Sequence, residues 1–89
     1  MATVLVRHRV KSFDQWKAAY DAFDAERQQM GVTGHGVYQA EGDPNEVTVY
    51  HHFENMDAAK AFIGSARLQE VMASAGVDGA PDVWYGNKK

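Results

Sequence analysis

Four histidines are the side chains of this sequence best suited to proton transfer near neutral pH. His8 lies near the end of a predicted first strand, His35 opens a second, and the adjacent His51 and His52 close a third. An antiparallel hairpin places the start of one strand beside the end of the next, so we expect His35 to lie near the adjacent pair. Neighbouring strand residues point to opposite faces, so only one of the pair shares a face with His35, and the hairpin register decides which.

His51 is the candidate catalytic base. It shares its parity with Val47, Val49 and Phe53, the more apolar side of its strand, so we expect it to face the helices and any pocket there. A neutral imidazole in such a pocket accepts a proton near pH 7, as abstraction from an acidic phenol, quinol or activated methylene requires. The alternative is a hydrogen-bonded packing residue. On the opposite face, His52 is expected at an interface.

Candidate ligand contacts lie on the first predicted helix and beside it. Trp16 and Tyr20 offer aromatic rings to a planar ligand, although residues at this spacing also form the core between a helix and a sheet. Arg27 continues the same stripe and offers a guanidinium at the pocket edge for a phenolate or carboxylate, or else extends to solvent. With His35, these residues form the predicted substrate-binding group, and His35 too has the packing alternative.

The sequence does not indicate a metal site, nucleic-acid binding or a membrane span. Cysteine is absent, no His-x-His or His-x3-His pair occurs, and the adjacent His51 and His52 cannot chelate together from a strand, so we expect no metal site and no cofactor. A formal charge of -3 without a basic run argues against nucleic acid. No apolar stretch reaches the ~18 residues needed to cross a membrane, and Arg7 and Arg9 interrupt any signal-like segment. We expect a cytoplasmic protein.

The pattern of apolar residues predicts six elements that position these side chains. Alternation predicts the first strand, and Ser12 with Gln15 forms a capping box before a helix of about five turns that Gly31 ends. Turn-forming residues over Glu41–Glu46 separate two strands, and Asn55 or Asp57 caps a second helix that Gly64 and Ser65 kink or split. The predicted strands are Thr3–Val10, His35–Ala40, Val47–Phe53 and Asp82–Tyr85, and the second helix begins near Ala58.

The order β-α-β-β-α-β predicts one α+β domain over residues 1–89, the ferredoxin-like split β-α-β fold. Right-handed crossovers give an antiparallel sheet of strand order 4-1-3-2 with both helices on one face. The open face is too apolar and aromatic to stay bare, and a chain of this length has a thin stability margin, so we expect a homodimer through the sheet. The residues expected on that face are Leu5, Arg7, Thr48, Tyr50, His52 and Trp84.

The order of elements, the length and the segment Ala59–Gln69 (AKAFIGSARLQ) resemble the dimeric α/β-barrel superfamily, in particular its antibiotic-biosynthesis-monooxygenase-like branch and the cyclase-like relatives. The resemblance implies a small organic ligand between the helices and the sheet. It leaves open cofactor-free oxygenation, polyketide cyclisation, haem degradation and simple binding. That branch commonly has a histidine three positions before the serine of this helix. Here Phe62 precedes Ser65 instead, and we keep Phe62 as a ligand-contact candidate.

Two functions therefore remain open for a small-molecule-binding dimer. The first is a cofactor-independent monooxygenase- or cyclase-like enzyme acting on a small aromatic or polyketide-like substrate, with His51 as base and Arg27 or a tyrosine orienting the anion. The alternative is a non-catalytic ligand-binding or stress-related dimer. The absence of the helix histidine favours this alternative.

Overall fold

A computed structural model describes all 89 residues, Met1–Lys89. The four-stranded antiparallel sheet has the order β2-β3-β1-β4, which confirms the predicted 4-1-3-2 arrangement read from its other edge. The fold is therefore the ferredoxin-like α+β fold, with each predicted helix divided in two. Its elements are β1 (Ala2–Val10), α1 (Phe13–Ala22), α2 (Asp24–Gln29), β2 (Gly34–Ala40), β3 (Asp43–Phe53), α3 (Met56–Ile63), α4 (Ala66–Ser74) and β4 (Val77–Asn87).

Alternating residues of the two central strands form the floor of the core. In the β1–β3 ladder Val4 lies opposite His51 and Val6 opposite Val49, and all four side chains are buried beneath the helices. The strands are thus apolar toward the helices, apart from the histidines, because only that face is covered. The register also places His35 opposite His51, so these two histidines share a face and His52 lies on the other.

The prediction of one continuous first helix is wrong, because the helix breaks at Phe23. The backbone there has ψ near zero, and the Phe23 amide donates to the carbonyls of both Ala19 and Tyr20. The guanidinium of Arg27 also donates to the Tyr20 carbonyl, at 2.6 Å. The Tyr20 carbonyl at the break therefore accepts from the Arg27 side chain as well as from the Phe23 amide. The predicted ends are confirmed, since Ser12 caps α1 and Gly31 follows the last helical turn with φ of 97°.

The second predicted helix is split at Gly64 and Ser65, as expected. Asn55 is its N-cap, accepting from the Ala58 amide at 2.9 Å, so the first turn begins at Met56 rather than near Ala58. Ser65 caps α4 by accepting from the Leu68 amide at 3.4 Å. The split gives each half its own polar cap and lets both lie against the sheet.

The predicted six-residue turn between the middle strands is wrong. Only Glu41 and Gly42 form the turn, and β3 begins at Asp43, with Gly42 at φ of 82°. The polar residues that suggested a loop lie on a strand extension, where Asp43 and Glu46 form ion pairs with Arg9 and Arg7 of β1. These cross-strand charge pairs explain how a polar segment continues the sheet.

The last strand is longer than the predicted Asp82–Tyr85. It starts at Val77, directly after Gly76 ends α4, and continues through Gly79 and Pro81. A register shift between Arg7 and Arg9 of β1 accommodates this segment. Glycine and proline are tolerated here because β4 is an edge strand with a bulge.

The face of the sheet away from the helices carries the six side chains expected there, because their positions alternate with those of the core. Tyr38 and Trp84 on this face are 64% and 57% exposed. The ring of Tyr50 lies over Gly36, and that of Trp84 lies over Gly86, positions where a Cβ would collide with the ring. No helix of the protein is long and apolar enough to cross a membrane.

Candidate functional site

A cavity of about 440 Å³ lies between the helices and the core face of the sheet. Fourteen of its twenty lining residues are hydrophobic, so the few polar groups decide what it can bind. The polar groups are the side chains of His8, Arg27, His51 and Gln69, together with the hydroxyl group of Tyr20.

His51 lies on the floor of the cavity, and only 4% of the residue is exposed. Its ring centroid lies 5.0 Å from that of Phe62, 6.1 Å from that of His35 and 6.2 Å from that of Tyr20. Neither Nδ1 nor Nε2 has a hydrogen-bond partner within the protein. Buried polar groups are nearly always paired, so a cavity-lining imidazole with two unpaired nitrogens is a candidate ligand contact.

Burial lowers the pKa of His51 to about 3, with the charge of Arg27 the next cause and the neighbouring imidazoles of His35 and His52 adding to it. His51 is therefore neutral at pH 7, with one N–H donor and one lone-pair acceptor for a ligand. The same shift makes it a weak proton acceptor. Its position toward the helices agrees with the expectation from parity, whereas its role as a base stays a prediction.

Arg27 supplies positive charge to the cavity wall. The residue is 2% exposed, so the alternative in which it extends to solvent is wrong. Its Nη1 donates to the Tyr20 carbonyl at 2.6 Å, its Nη2 lies 3.4 Å from a carboxylate oxygen of Asp24, and its Cζ is 3.8 Å from the Tyr20 ring centroid. The buried Nε has no partner. Such a fixed guanidinium favours an anionic or strongly electronegative ligand group beside it.

Trp16, Tyr20 and Phe62 line the cavity, and each is also part of the core, so their contact with a ligand stays a prediction. The rings of Trp16 and Tyr20 are stacked with centroids 5.0 Å apart, and the His8 ring meets Trp16 edge-on at 5.4 Å. The two interpretations of the aromatic stripe, core and pocket wall, are therefore compatible. These rings give the cavity flat apolar surfaces that suit a planar ligand.

His35 lies outside the cavity wall and is connected to it through Tyr20. The Tyr20 hydroxyl is 2.7 Å from His35 Nδ1, and His35 Nε2 is 3.0 Å from Asp24 Oδ1. Sequence reasoning missed Asp24, which begins α2 just after the break at Phe23. It also gave no ligand role to His8, whose parity with Val6 already indicated the covered face.

The chain is similar to one known protein family. The family model described as antibiotic biosynthesis monooxygenase matches residues 1–74. No curated protein matches the sequence.

Solved structures match over nearly the whole chain. An antibiotic-biosynthesis-monooxygenase-type protein from Bordetella bronchiseptica has a TM-score of 0.84 and 17% identity, covering 99% of this chain and 96% of that one. SnoaB, a cofactor-independent oxygenase from Streptomyces nogalater, has a TM-score of 0.79 and 12% identity, covering 99% and 92%. A conserved protein from Methanosarcina mazei Go1 has a TM-score of 0.78 and 19% identity, with the same coverage. At these identities the likeness shows a shared fold.

Proposed function

Because the chain belongs to the antibiotic biosynthesis monooxygenase family, we propose that its cavity binds a small hydroxylated aromatic or polyketide-like molecule and supports cofactor-independent oxygenation of it. The observation that carries the proposal is buried His51, which lines a largely apolar cavity and whose two ring nitrogens have no hydrogen-bond partner within the protein. A ligand hydroxyl or carbonyl gives those nitrogens the hydrogen bonds that the protein does not.

The remaining walls fit the same ligand class. A volume of about 440 Å³ lies within the usual range for small-molecule sites. The stacked rings of Trp16 and Tyr20 favour a planar body, and the guanidinium of Arg27 favours an oxygen that bears negative charge. An apolar ring system with one or two oxygen substituents can stack on the aromatic rings and place an oxygen beside Arg27.

Oxygenation of such a molecule requires an electron-rich carbanion or phenolate that reacts with dioxygen. Loss of a proton from an activated methylene gives the anion, addition of O2 gives a hydroperoxide after protonation, and loss of water leaves a carbonyl. The CH2 group and O2 thus become C=O and H2O. The protein contributes an apolar site that excludes bulk water, and the charge of Arg27 lowers the pKa of the ligand group that must ionise.

Non-catalytic binding is the second candidate function, and a specific observation favours it. Burial holds the pKa of His51 at about 3, so the imidazole is a poor base for a phenol or methylene. Phe62 also occupies the position of the helix histidine expected from the family resemblance. On this alternative the same cavity holds the same class of ligand and releases it unchanged.

We propose a homodimer through the exposed sheet face for either function. The support is the aromatic surface that Tyr38, Tyr50 and Trp84 form on that face, with two of these residues more than half exposed. Covering this surface with a second copy removes apolar area from water and stabilises a small domain. The cytoplasmic location expected from the sequence stays a proposal.

Oxygen uptake with anthrone, a tricyclic ketone with an activated methylene, separates the two functions. The oxygenase proposal expects one O2 consumed for each anthraquinone formed, above the spontaneous rate and without hydrogen peroxide. Saturable binding of anthrone without uptake favours the non-catalytic function, and the absence of binding contradicts both. Arg27→Met removes the cavity charge and is expected to slow uptake by about tenfold or more. Arg67→Met, at an exposed arginine paired with Glu26, is the matched control.

A further inference from the structure

Three side chains form a continuous hydrogen-bonded path from the cavity wall to the protein surface. Tyr20 lines the cavity and is 9% exposed, the His35 side chain is 31% exposed, and the Asp24 side chain is 45% exposed. The Tyr20 hydroxyl lies 2.7 Å from His35 Nδ1, and His35 Nε2 lies 3.0 Å from Asp24 Oδ1. Exposure therefore increases along the path, from the ligand space to solvent.

The chemistry of the three groups fixes the direction of each bond. An ionised carboxylate only accepts, so the neutral His35 ring carries its proton on Nε2 and donates it to Asp24. The Nδ1 lone pair then accepts the hydroxyl proton of Tyr20. The oxygen of Tyr20 keeps a lone pair for a hydroxyl group of a ligand in the cavity.

The other polar groups of the cavity are poorly suited to accept a proton. Burial lowers the pKa of both His51 and His8, so that their charged forms are disfavoured, and the guanidinium of Arg27 offers only hydrogen-bond donors. The groups that face His35 are Tyr20, Asp24 and His51, and Arg27 contacts the first two of them. His35 is thus the histidine of this site whose ring is hydrogen-bonded to a carboxylate.

We propose that Tyr20, His35 and Asp24 carry the proton of the ligand from the cavity to the surface. The ligand hydroxyl gives its proton to the Tyr20 oxygen while Tyr20 gives its own to His35 Nδ1. The products are a ligand anion beside Arg27, a neutral Tyr20 and an imidazolium paired with Asp24, which releases a proton to solvent. Tyr20 is the catalytic residue of this path, and His35 and Asp24 act through it. The proposal rests on the proposed function, because it needs a ligand with an acidic proton in the cavity.

Burial raises the pKa of Tyr20 to about 12, with Arg27 opposing the shift. The phenol therefore remains protonated at neutral pH and does not hold the negative charge itself. In the proposed path Tyr20 gives up one proton as it accepts another, so it never becomes a phenolate.

Nitrogen-15 NMR of the free protein tests the direction of the path without any ligand. The proposal expects the neutral His35 ring to be protonated at Nε2, with a bare Nδ1 that is coupled to the Tyr20 hydroxyl. Protonation at Nδ1 would overturn it, because the ring could then not accept from Tyr20. This readout is independent of whether the protein is an oxygenase.

Absorbance of 4-nitrophenol bound in the cavity tests the transfer itself, since its phenol and phenolate forms differ in colour. About one unit below the pKa of the free probe, the wild-type protein is expected to hold a substantial phenolate fraction. Tyr20→Phe is expected to reduce the ratio of phenolate to phenol by about tenfold, the change that corresponds to one pKa unit, while the dissociation constant changes by less than about threefold. Asp24→Asn is expected to shift the pH profile of ionisation upward, and Asp21→Asn, at the neighbouring carboxylate paired with Lys17, is the matched control.

The outcomes distinguish the path from the proposed function. Equal phenolate fractions in the wild type and Tyr20→Phe overturn the path and leave ligand binding intact. A Tyr20→Phe protein that loses probe binding altogether, with normal folding, also overturns it, because the hydroxyl would then serve binding alone. If the wild type does not bind 4-nitrophenol, the proposed function fails for this ligand class, and the path fails with it.

Discussion

Replacing His51 by phenylalanine is expected to stabilise the folded protein while impairing ligand binding. The imidazole has two ring nitrogens without a partner in the protein, and the residue is 4% exposed. A buried polar group without a hydrogen bond costs about 1–3 kcal/mol, and water that enters the cavity reduces that cost. His51→Phe keeps an aromatic ring against Phe62 and has the cavity beside it to accept the larger ring. We therefore expect the free energy of unfolding to rise by about 1 kcal/mol at neutral pH.

The same variant is expected to change how stability depends on pH. The pKa of His51 falls from 6.5 to about 3 on folding, so between these values the unfolded chain binds a proton that the folded protein excludes. Stability then decreases as pH falls through this window, by about 1 kcal/mol for each pH unit. His51→Phe removes this contribution. The lowered pKa of His8 acts in the same direction and remains in the variant.

Urea denaturation of the wild type and His51→Phe at neutral pH and at about pH 4.5 measures both effects. His52→Phe, on the opposite face of the same strand, is the matched control because His52 has a partner in Thr3. The reasoning would be refuted if His51→Phe lost about 1 kcal/mol or more at neutral pH, since the imidazole would then be a satisfied structural residue. If His51→Phe lost as much stability as the wild type between neutral pH and about pH 4.5, the claim that burial lowers the pKa of His51 would be refuted.

Three other predictions concern the core, the sheet face and its glycines. Trp16→Ala is expected to cost about 3–5 kcal/mol in chemical denaturation, because a large buried aromatic is lost, and a loss below about 1 kcal/mol would place Trp16 outside the core. Trp84→Glu is expected to convert a dimer into folded monomers in sedimentation, because it places charge on the proposed interface; a wild-type protein that is monomeric at micromolar concentration would contradict the dimer. Gly36→Ala is expected to weaken dimerisation by displacing the Tyr50 ring, which circular dichroism and sedimentation together distinguish from unfolding.

The topology was predictable because it depends on apolar periodicity. The parity of Val47, Val49 and Phe53 correctly indicated that His51 faces the helices, since the side-chain period of a strand leaves only two choices. The element boundaries were less predictable where polar residues continue a strand. Asp43 is of a residue type that is common in turns, yet it lies in the sheet, where it forms a salt bridge with Arg9.

The break at Phe23 and the burial of Arg27 could not be predicted from local pattern. Both belong to one arrangement, in which the guanidinium lies over the Tyr20 ring and donates to the Tyr20 carbonyl at the break. Helix propensity describes each residue within its own helix. It does not predict that the side chain of Arg27 contacts the preceding helix. The link from Tyr20 through His35 to Asp24 was missed for the same reason, because it joins two helices and a strand.

The hydrogen bonding of His51 tests the central claim most directly. Nitrogen-15 NMR can follow its two ring nitrogens while 1-naphthol, a small hydroxylated aromatic, is added to the protein at neutral pH. We expect a neutral ring in the free protein, a saturable shift of at least one ring nitrogen on binding, and no comparable shift at His52. A His51 ring that titrates near its ordinary pKa of 6.5, or nitrogens that do not respond to saturating naphthol, would contradict the claim that this imidazole is held unpaired for a ligand.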